Sequence, residues 1–271
     1  MIKRLSDIKE NIESIVKNPV QRGNETGFKA LDELYTIKKG SFTCWLGSPA
    51  HGKSELIFEV LMNQSLKYGS INLIYSPETG TVEEIMIELA HKYLQKQIVR
   101  HNPLNEVATE LDMHTALEWV DHHFIIIDGD ENAYSFAQIC EECDKFEKGN
   151  NVKVSNIMAE PYNELVHDMR DFGGRQDLYI EWLITEVRRY SKKNGKHIHI
   201  SFHTGSQTAQ KVGNITFYPM PKAREAAGGQ AAFRKAMTWI NIWRPASGLK
   251  DAKGIPYLPN EVLVNIEKAK P

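Results

Sequence analysis

The sequence has few cysteines, which excludes a small secreted protein that is held together by disulfides. Three cysteines in 271 residues are an odd number and do not build a disulfide framework. Cys140 and Cys143 have the spacing of half a zinc site, but no second pair of cysteines or histidines lies at zinc-finger spacing. The cysteines are therefore predicted to be reduced and structural, in an intracellular protein.

Long hydrophobic runs and a strong net charge are also missing. No apolar run reaches the roughly 20 residues of a membrane-spanning helix, and the N-terminal residues do not lead into a signal-peptide core. The net charge of −2 argues against a surface that is basic throughout, although a local basic channel stays compatible with it. The sequence contains no internal repeat and no low-complexity tract. We expect a cytoplasmic protein that has no contact with a membrane.

Residues 1–25 are predicted to form a linker helix and a polar connector ahead of one larger domain, residues 26–271. The apolar residues that recur at helical spacing in the first segment are Leu5, Ile8, Ile12, Ile15 and Val16. A helix of this kind must bury its apolar stripe. It can pack on its own domain or on a neighbouring subunit, and the sequence leaves both possibilities open.

Strand and helix patterns alternate along the rest of the chain. Strands are predicted at 41–46, 71–76, 123–128, 154–159, 197–203, 238–243 and 261–267. Helices are predicted at 55–63, 81–97, 134–147, 177–194 and 230–237, with a turn at 148–151 and a loop over 204–229. This alternation predicts an α/β fold, a mostly parallel twisted sheet with helices on both faces.

The most informative segment fits the phosphate-binding pattern G-x-x-x-x-G-K-[ST]. It consists of Gly47, Ser48, Pro49, Ala50, His51, Gly52, Lys53 and Ser54. The segment lies between a predicted strand and a predicted helix, where backbone N–H groups and the positive helix end converge. It therefore suits a polyphosphate such as that of ATP. Lys53 is predicted to reach the β- and γ-phosphates, and the Ser54 hydroxyl to ligate Mg²⁺.

Three acidic residues follow predicted strands at the edge where open α/β sheets bind ligands. Glu78 is placed to polarise an attacking water, and the alternative is a favourable interaction with a helix dipole alone. Asp128 and Glu160 compete for the role of Mg²⁺ ligand. Periodicity by itself favours Asp128, because this residue follows the more hydrophobic run, residues 124–127.

Four segments, in this order, resemble the DnaB-like replicative helicases, and especially their Twinkle-like and phage primase-helicase branch. The segments are 26–34 (TGFKALDEL), 75–78 (YSPE), 160–165 (EPYNEL) and 200–203 (ISFH). The first precedes the phosphate loop, and the third resembles the branch's Asp-Pro-Trp-Asn-Glu-Leu segment. The resemblance covers residues 26–270. It implies a RecA-like P-loop ATPase core that assembles into a ring, a hexamer in this family.

The resemblance also implies roles for residues at the strand ends. Glu78 corresponds to the catalytic glutamate, and His203 to the sensor of the γ-phosphate at a strand tip. The family order gives the Mg²⁺ role to Glu160 and places Asp128 on the preceding strand. Glu160 departs from the family's aspartate and is one methylene longer, which changes how it can contact the metal.

Hydrolysis in this family uses a positive finger from the next subunit. Lys268-Ala269-Lys270 resembles the branch's Lys-x-Arg pair, with Lys270 where the arginine finger belongs. A lysine cannot form the planar bidentate fork of an arginine. Arg234, on the predicted helix at 230–237, is another candidate for this contact between subunits.

Single-stranded DNA is the partner that the resemblance implies. The loops after Glu160 and His203 are expected to line the channel of the ring. Their basic residues are Arg170, Arg175, Lys211, Lys222 and Arg224. A primase or another replisome protein is a further expected partner.

The sequence thus predicts the motor domain of an ATP- and Mg²⁺-dependent DNA helicase. We expect it to translocate along single-stranded DNA during phage or mobile-element replication, in the cytoplasm of a bacterial host. Two alternatives stay open. One is another RecA-like DNA-dependent ATPase, of the recombinase or RadA-like kind. The other is a nucleotide-binding assembly module with weak hydrolysis, which the glutamate at 160 and the lysine at 270 favour.

Overall fold

A computed structural model describes residues 4–17, 22–98, 106–205 and 207–270, except for the side chains of residues 11 and 15. The strands are β1 (Phe42–Leu46), β2 (Ile71–Tyr75), β3 (Phe124–Ile126), β4 (Val154–Ala159), β5 (His197–Phe202), β6 (Gln210–Val212), β7 (Ile215–Phe217), β8 (Thr238–Trp243) and β9 (Leu263–Ala269). The helices are α1 (Lys9–Lys17), α2 (Lys29–Asp32), α3 (Lys53–Tyr68), α4 (Val82–Leu94), α5 (Glu110–His123), α6 (Phe136–Asn150), α7 (Gln176–Asn194) and α8 (Gly229–Lys235).

A seven-stranded sheet of order β3-β2-β4-β5-β1-β8-β9 forms the centre of the molecule. Every neighbouring pair is parallel except β8 and β9, which are antiparallel. The predicted α/β fold with a mostly parallel sheet is therefore confirmed. Because the parallel strands all point the same way, the residues that follow β1, β2, β4 and β5 meet at one edge, here called the carboxyl edge.

Helices cover both faces of the sheet, as the alternation predicted. On one face, α3, α4 and α5 bury apolar side chains such as Phe58, Leu89 and Val120 against the strands. On the other face, α6, α7 and α8 do the same with side chains such as Ile139 and Leu183. The two apolar layers hold the strand ends in fixed positions, since burial of each such side chain stabilises the fold by roughly 2 kcal/mol.

Two local predictions were wrong. The turn expected at 148–151 is part of α6, which continues to Asn150 and ends where Asn151 adopts a left-handed conformation with φ of 53°. The loop expected over 204–229 contains the antiparallel hairpin β6–β7, which turns at Gly213 with φ of 58°. Gly-Asn between short alternating segments is a hairpin signal, so the sequence did contain the information for the second element.

The predicted N-terminal helix consists of a 3-10 turn, Leu5–Asp7, followed by α1, and three apolar residues of this segment are not buried. Leu5, Ile12 and Val16 are 66%, 39% and 73% exposed. In the structure, these three side chains are therefore not buried against their own domain. None of the helices in the described ranges is long and apolar enough to cross a membrane.

Candidate nucleotide-binding site

The loop between β1 and α3 has the glycines that its tight path requires. A Cβ atom on Gly47 would lie 2.9 Å from Cγ of Lys53 and 3.0 Å from the carbonyl oxygen of Ile242. Gly52 has φ of 84° and lies directly before the first residue of α3. Residues with side chains rarely adopt this conformation. The loop can therefore bring its backbone N–H groups close to a ligand at the positive end of a 16-residue helix.

Lys53 is the buried cation of this loop. Lys53 is 5% exposed, and its Nζ donates a long hydrogen bond of 3.4 Å to the carbonyl oxygen of Ser48. Burial lowers the pKa of Lys53, because removal from water disfavours the charged form, while Glu160 and Glu78 act in the opposite direction. An anionic ligand at this position would meet a cation that has lost most of its water.

Ser54 and Glu160 lie side by side at the carboxyl edge. The Ser54 hydroxyl donates a 2.9 Å hydrogen bond to Oε1 of Glu160, which follows β4 and is 3% exposed. The other carboxylate oxygen, Oε2, is buried and has no hydrogen-bond partner among the residues that the structure describes. Burial raises the pKa of Glu160, although Lys53 and Ser54 oppose this rise. Hydroxyl and carboxylate oxygens are the ligands that Mg²⁺ prefers, so this pair fits a magnesium ion.

Asp128, the competitor for the metal role, lies away from this pair. It follows β3, which is the edge strand and is separated from β1 by β2, β4 and β5. Its side chain is exposed, and Oδ1 accepts a 2.9 Å hydrogen bond from the backbone N–H of Asp130. The structure therefore places Glu160, and not Asp128, beside the phosphate loop, as the family order implied.

Glu78 and His203 contact one another across the carboxyl edge. Glu78 follows β2, His203 follows β5, and Nε2 of His203 lies 2.8 Å from Oε2 of Glu78. The glutamate side chain is 49% exposed, whereas that of the histidine is 16% exposed. The carboxylate thus faces the cavity with one oxygen held by the imidazole.

These groups share one cavity of about 280 Å³. Its lining residues are Pro49, Ala50, Gly52, Lys53, Ser54, Glu55, Glu78, Thr79, Glu160, His203 and Arg244. Three of the predicted loop residues do not line the cavity: Gly47, Ser48 and His51. The arrangement brings the residues that were predicted to bind phosphate, bind metal and orient water to one pocket.

The sequence reasoning missed two residues near this cavity. Arg244 follows β8 at the same edge, lines the cavity, and donates its backbone N–H to Nδ1 of His51 at 3.3 Å. Burial and the nearby Lys53 and Arg244 lower the pKa of His51. Gln207 accepts a 2.8 Å hydrogen bond from the Ser48 hydroxyl and donates one of 3.1 Å to the carbonyl oxygen of Pro219. In the sequence, the position of a cation directly after a predicted strand was a signal for Arg244. No sequence signal indicated Gln207.

The three candidates for the positive finger do not reach this cavity. Nζ of Lys268 donates to the carbonyl oxygens of Phe233 and Arg234, at 2.6 and 3.1 Å, and so caps the end of α8. Arg234 itself is exposed on that helix. Lys270 lies at the opposite end of the sheet, where its backbone N–H donates to the carbonyl oxygen of Met237. Within one chain, none of them contacts the phosphate loop.

The basic residues of the two expected DNA loops differ in their surroundings. Arg170 pairs with Asp168 at 2.5 Å, and Arg175 pairs with Asp177 at 2.6 Å. Lys211 is exposed on β6 of the hairpin. Lys222 and Arg224 are exposed at a short 3-10 turn, Ala223–Glu225. The first loop therefore presents arginines that already have acidic partners.

Comparisons with known proteins were made for the sequence and for the fold. No family model matches the chain. The Twinkle homolog protein, chloroplastic/mitochondrial, of Arabidopsis thaliana is 24% identical over 185 residues, which are 67% of this chain and 25% of that protein. The chain thus spans about a quarter of the length of the curated relative that it matches.

Two solved structures are similar over the whole chain. A DnaB-like replicative helicase, whose structure was studied with its interactions with primase, has a TM-score of 0.71 at 18% identity and is covered over 63% of its length. The ATPase domain of G40P has a TM-score of 0.70 at 13% identity and is covered over 92%. The chain therefore has the RecA-like fold of these two structures. The resemblance to the DnaB-like and Twinkle-like helicases, predicted from four segments, is thereby confirmed.

Proposed function

We propose that this chain is the ATPase motor domain of a DnaB-like DNA helicase, which moves along single-stranded DNA as a ring of identical copies. The observation that carries the proposal is the single cavity in which Lys53, Ser54, Glu160, Glu78 and His203 meet. The comparisons support it through the similarity of the sequence to a Twinkle homologue and of the fold to a DnaB-like replicative helicase and the ATPase domain of G40P.

Each residue of the cavity has a role in the proposed hydrolysis of ATP. The loop N–H groups and Lys53 bind the β- and γ-phosphates. Ser54 and Glu160 hold Mg²⁺, which when bound neutralises charge on the phosphates. Glu78 orients the attacking water and accepts its proton. His203, which now holds Glu78, can exchange that contact for the γ-phosphate and thereby report its presence.

The proposal extends to partners beyond the chain. A ring of copies would place the hairpin lysine Lys211, together with Lys222 and Arg224, along a central channel for the phosphates of one DNA strand. Lys270 would contact the nucleotide of the next copy. Phage or mobile-element replication in a bacterial cytoplasm, with a primase or another replisome protein as partner, is the setting that we propose.

A second function is favoured by the geometry of the acidic groups. Glu160 already accepts the Ser54 hydroxyl, and Glu78 already contacts His203, so both acids are engaged before any ligand binds. A nucleotide-binding module that assembles but hydrolyses ATP slowly would have such a site. A recombinase-like ATPase shares the same cavity and differs in what it does with DNA.

ATP turnover with and without single-stranded DNA tests the proposal. We expect DNA to stimulate turnover in the wild-type protein, and Lys53→Ala and Glu78→Gln each to lower it by about 100-fold or more. Glu78→Gln should keep ATP binding, because it removes a base and no phosphate contact, whereas Lys53→Ala should weaken it. Glu83→Gln, an acidic residue of α4 outside the cavity, is the matched control.

The alternatives give different results in the same experiment. ATP binding without measurable turnover in the wild-type protein would replace the motor with the assembly module. DNA-stimulated turnover that supports strand exchange, but not the unwinding of a forked duplex, would assign the chain to the recombinase-like class.

A further inference from the structure

The side chain of Gln207 connects the phosphate loop to one of the two segments expected to contact DNA. Its Oε1 accepts a 2.8 Å hydrogen bond from the hydroxyl of Ser48, the second residue of the phosphate loop. Its Nε2 donates a 3.1 Å hydrogen bond to the carbonyl oxygen of Pro219 and lies 3.4 Å from Oε2 of Glu225. One side chain therefore contacts both the nucleotide-binding loop and the segment that follows the strand tip.

The hydrogen-bond partners fix the orientation of this amide. A backbone carbonyl oxygen and an ionised carboxylate can only accept hydrogen bonds, so the NH₂ group of Gln207 must face Pro219 and Glu225. Oε1 then faces Ser48, whose hydroxyl must donate. Both functions of the amide are needed here, because an ionised glutamate could not donate to Pro219 and a lysine could not accept from Ser48.

Pro219 belongs to residues 210–225, here called the basic segment. This segment contains the hairpin β6–β7 and the 3-10 turn, and its basic residues are Lys211, Lys222 and Arg224. Trp243, the last residue of β8, holds the segment next to Pro219, since its Nε1 donates a 2.7 Å hydrogen bond to the carbonyl oxygen of Tyr218. Gln207 therefore contacts the basic segment at a point that the central sheet also contacts.

We propose that Gln207 is a positioning residue that couples occupation of the phosphate loop to the placement of the basic segment. The inference rests on the proposed function and deepens it, because it names the contact through which the two sites act on one another. A nucleotide bound by the loop N–H groups fixes Ser48, and the hydrogen bonds of Gln207 transmit this to Pro219. DNA on the basic segment then changes the affinity of the loop for nucleotide by the same factor, since coupling between two sites is reciprocal.

This contact is separate from the contact between Glu78 and His203, and it responds to a different part of the nucleotide. His203 lies 2.8 Å from Glu78 and, in the proposed function, exchanges it for the γ-phosphate, which ADP lacks. Ser48 belongs to a loop whose N–H groups surround the α- and β-phosphates, which ADP and ATP share. The contact through Gln207 should therefore respond to ADP, whereas the γ-phosphate contact of His203 should not.

Hydrogen exchange of the basic segment with Mg²⁺ and ADP tests the coupling without DNA and without turnover. In the wild-type protein, saturating ADP should slow amide exchange in residues 210–225 by about fivefold, the effect expected for one hydrogen bond. Gln207→Ala should abolish this change. The control is Gln210→Ala, which removes the same amide from an exposed side chain of the segment. Equal slowing in the wild type and Gln207→Ala, or no slowing in wild-type protein that calorimetry shows to be saturated, would overturn the coupling.

A double-mutant cycle with Ser48 tests whether this hydrogen bond is the route. Ser48→Ala removes the hydroxyl and should abolish the response of the basic segment to ADP, so that Gln207→Ala adds no further loss. Ser48→Thr keeps a hydroxyl and should retain the response. A full response in Ser48→Ala protein would overturn the contact between Ser48 and Gln207 as the route of coupling.

Stimulation of ATP turnover by single-stranded DNA is the second readout. Gln207→Ala should leave turnover without DNA unchanged and should lower the stimulation by about fivefold, whereas a merely structural role would lower both. Gln207→Glu should behave in the same way, because it cannot donate to Pro219, and Gln210→Ala should keep the full stimulation. If wild-type protein binds ADP but shows no turnover, the proposed function fails, and the exchange result with ADP still decides the coupling. Protein that binds no ADP would overturn both.

Discussion

His197 shows how a single buried residue links stability to pH. The side chain is 1% exposed on β5, and Nδ1 lies 2.9 Å from the carbonyl oxygen of Lys38, which can only accept. Nδ1 therefore carries the proton, and Nε2 accepts from the Thr43 hydroxyl at 3.0 Å. Burial lowers the pKa of His197 to about 4, because the neutral ring is the form that suits this site.

This lowered pKa predicts a loss of stability in weak acid. Above about pH 6.5 the ring is neutral in both states and contributes no pH dependence. Between pH 6.5 and 4 the unfolded chain takes up a proton that the folded chain refuses, so the free energy of unfolding should fall by roughly 2 to 3 kcal/mol. Urea unfolding at pH 8 and pH 4.5 measures this difference.

His197→Asn isolates the contribution of this residue. The asparagine amide can still donate to the carbonyl oxygen of Lys38, but it is smaller than the imidazole ring and does not titrate. The variant should therefore be less stable at pH 8 and should lose less stability on acidification. His114→Asn is the control, because that side chain is 65% exposed. Equal pH dependence in wild type and His197→Asn would show that other groups dominate, among them His199, whose pKa is also lowered by burial.

At the residue scale, the sequence predicted the position of the phosphate loop better than it predicted which acidic residue lies beside that loop. The loop pattern is local, and all eight of its residues lie where a strand–loop–helix turn places them. The choice between Asp128 and Glu160 depends on strand order, which hydrophobic periodicity does not contain. β3 has the more hydrophobic run but is the edge strand, whereas β4 lies beside β5 and closer to β1.

At the scale of elements, the two expected DNA loops present their charges differently. Arg170 pairs with Asp168 in the same loop, and Arg175 pairs with Asp177 in the first turn of α7. Lys211 is exposed on the β6–β7 hairpin. The hairpin is therefore the stronger candidate for a contact with phosphates, a difference that a count of basic residues in each loop could not predict.

The salt dependence of single-stranded DNA binding tests this difference. Each phosphate contact adds about −0.7 to the slope of log K against log salt concentration for a single strand. Lys211→Gln together with Lys222→Gln should reduce the slope by about 1.4 units. The control is Asp168→Asn with Arg170→Gln, which removes a whole ion pair without changing net charge. An equal reduction of the slope by both double variants would show that the first loop also contacts the DNA.

At the scale of the whole molecule, the direction of one strand decides that Lys270 lines a cavity of about 550 Å³ at the amino edge of the sheet. The sequence predicted a late strand at 261–267 but not that it would run antiparallel to β8. That direction carries Lys270 to the amino edge, next to Arg22 and Lys38, which are distant in sequence. Local patterns predicted the elements and the carboxyl edge, whereas this cavity depends on long-range strand pairing that local patterns do not encode.

Three apolar side chains of the N-terminal segment are exposed, and we predict that they contact a neighbouring copy. Leu5, Ile12 and Val16 remain exposed beside a domain whose two cavities open at opposite edges. The sequence left open whether this stripe packs on its own domain or on another subunit. Because the three side chains are exposed in the single chain, we favour another subunit.

Replacement of this apolar stripe should weaken assembly while leaving each domain folded. Each apolar side chain that becomes buried contributes roughly 1.5 to 3 kcal/mol, so Leu5→Ser, Ile12→Ser and Val16→Ser together should raise the protein concentration needed for assembly by more than about 100-fold. Sedimentation velocity with ATP measures the assembly, and thermal unfolding checks the domain. The control is Lys9→Ser with Glu13→Ser, an exposed pair on the same helix. Unchanged assembly in the stripe variant would show that the helix is not part of the contact between copies.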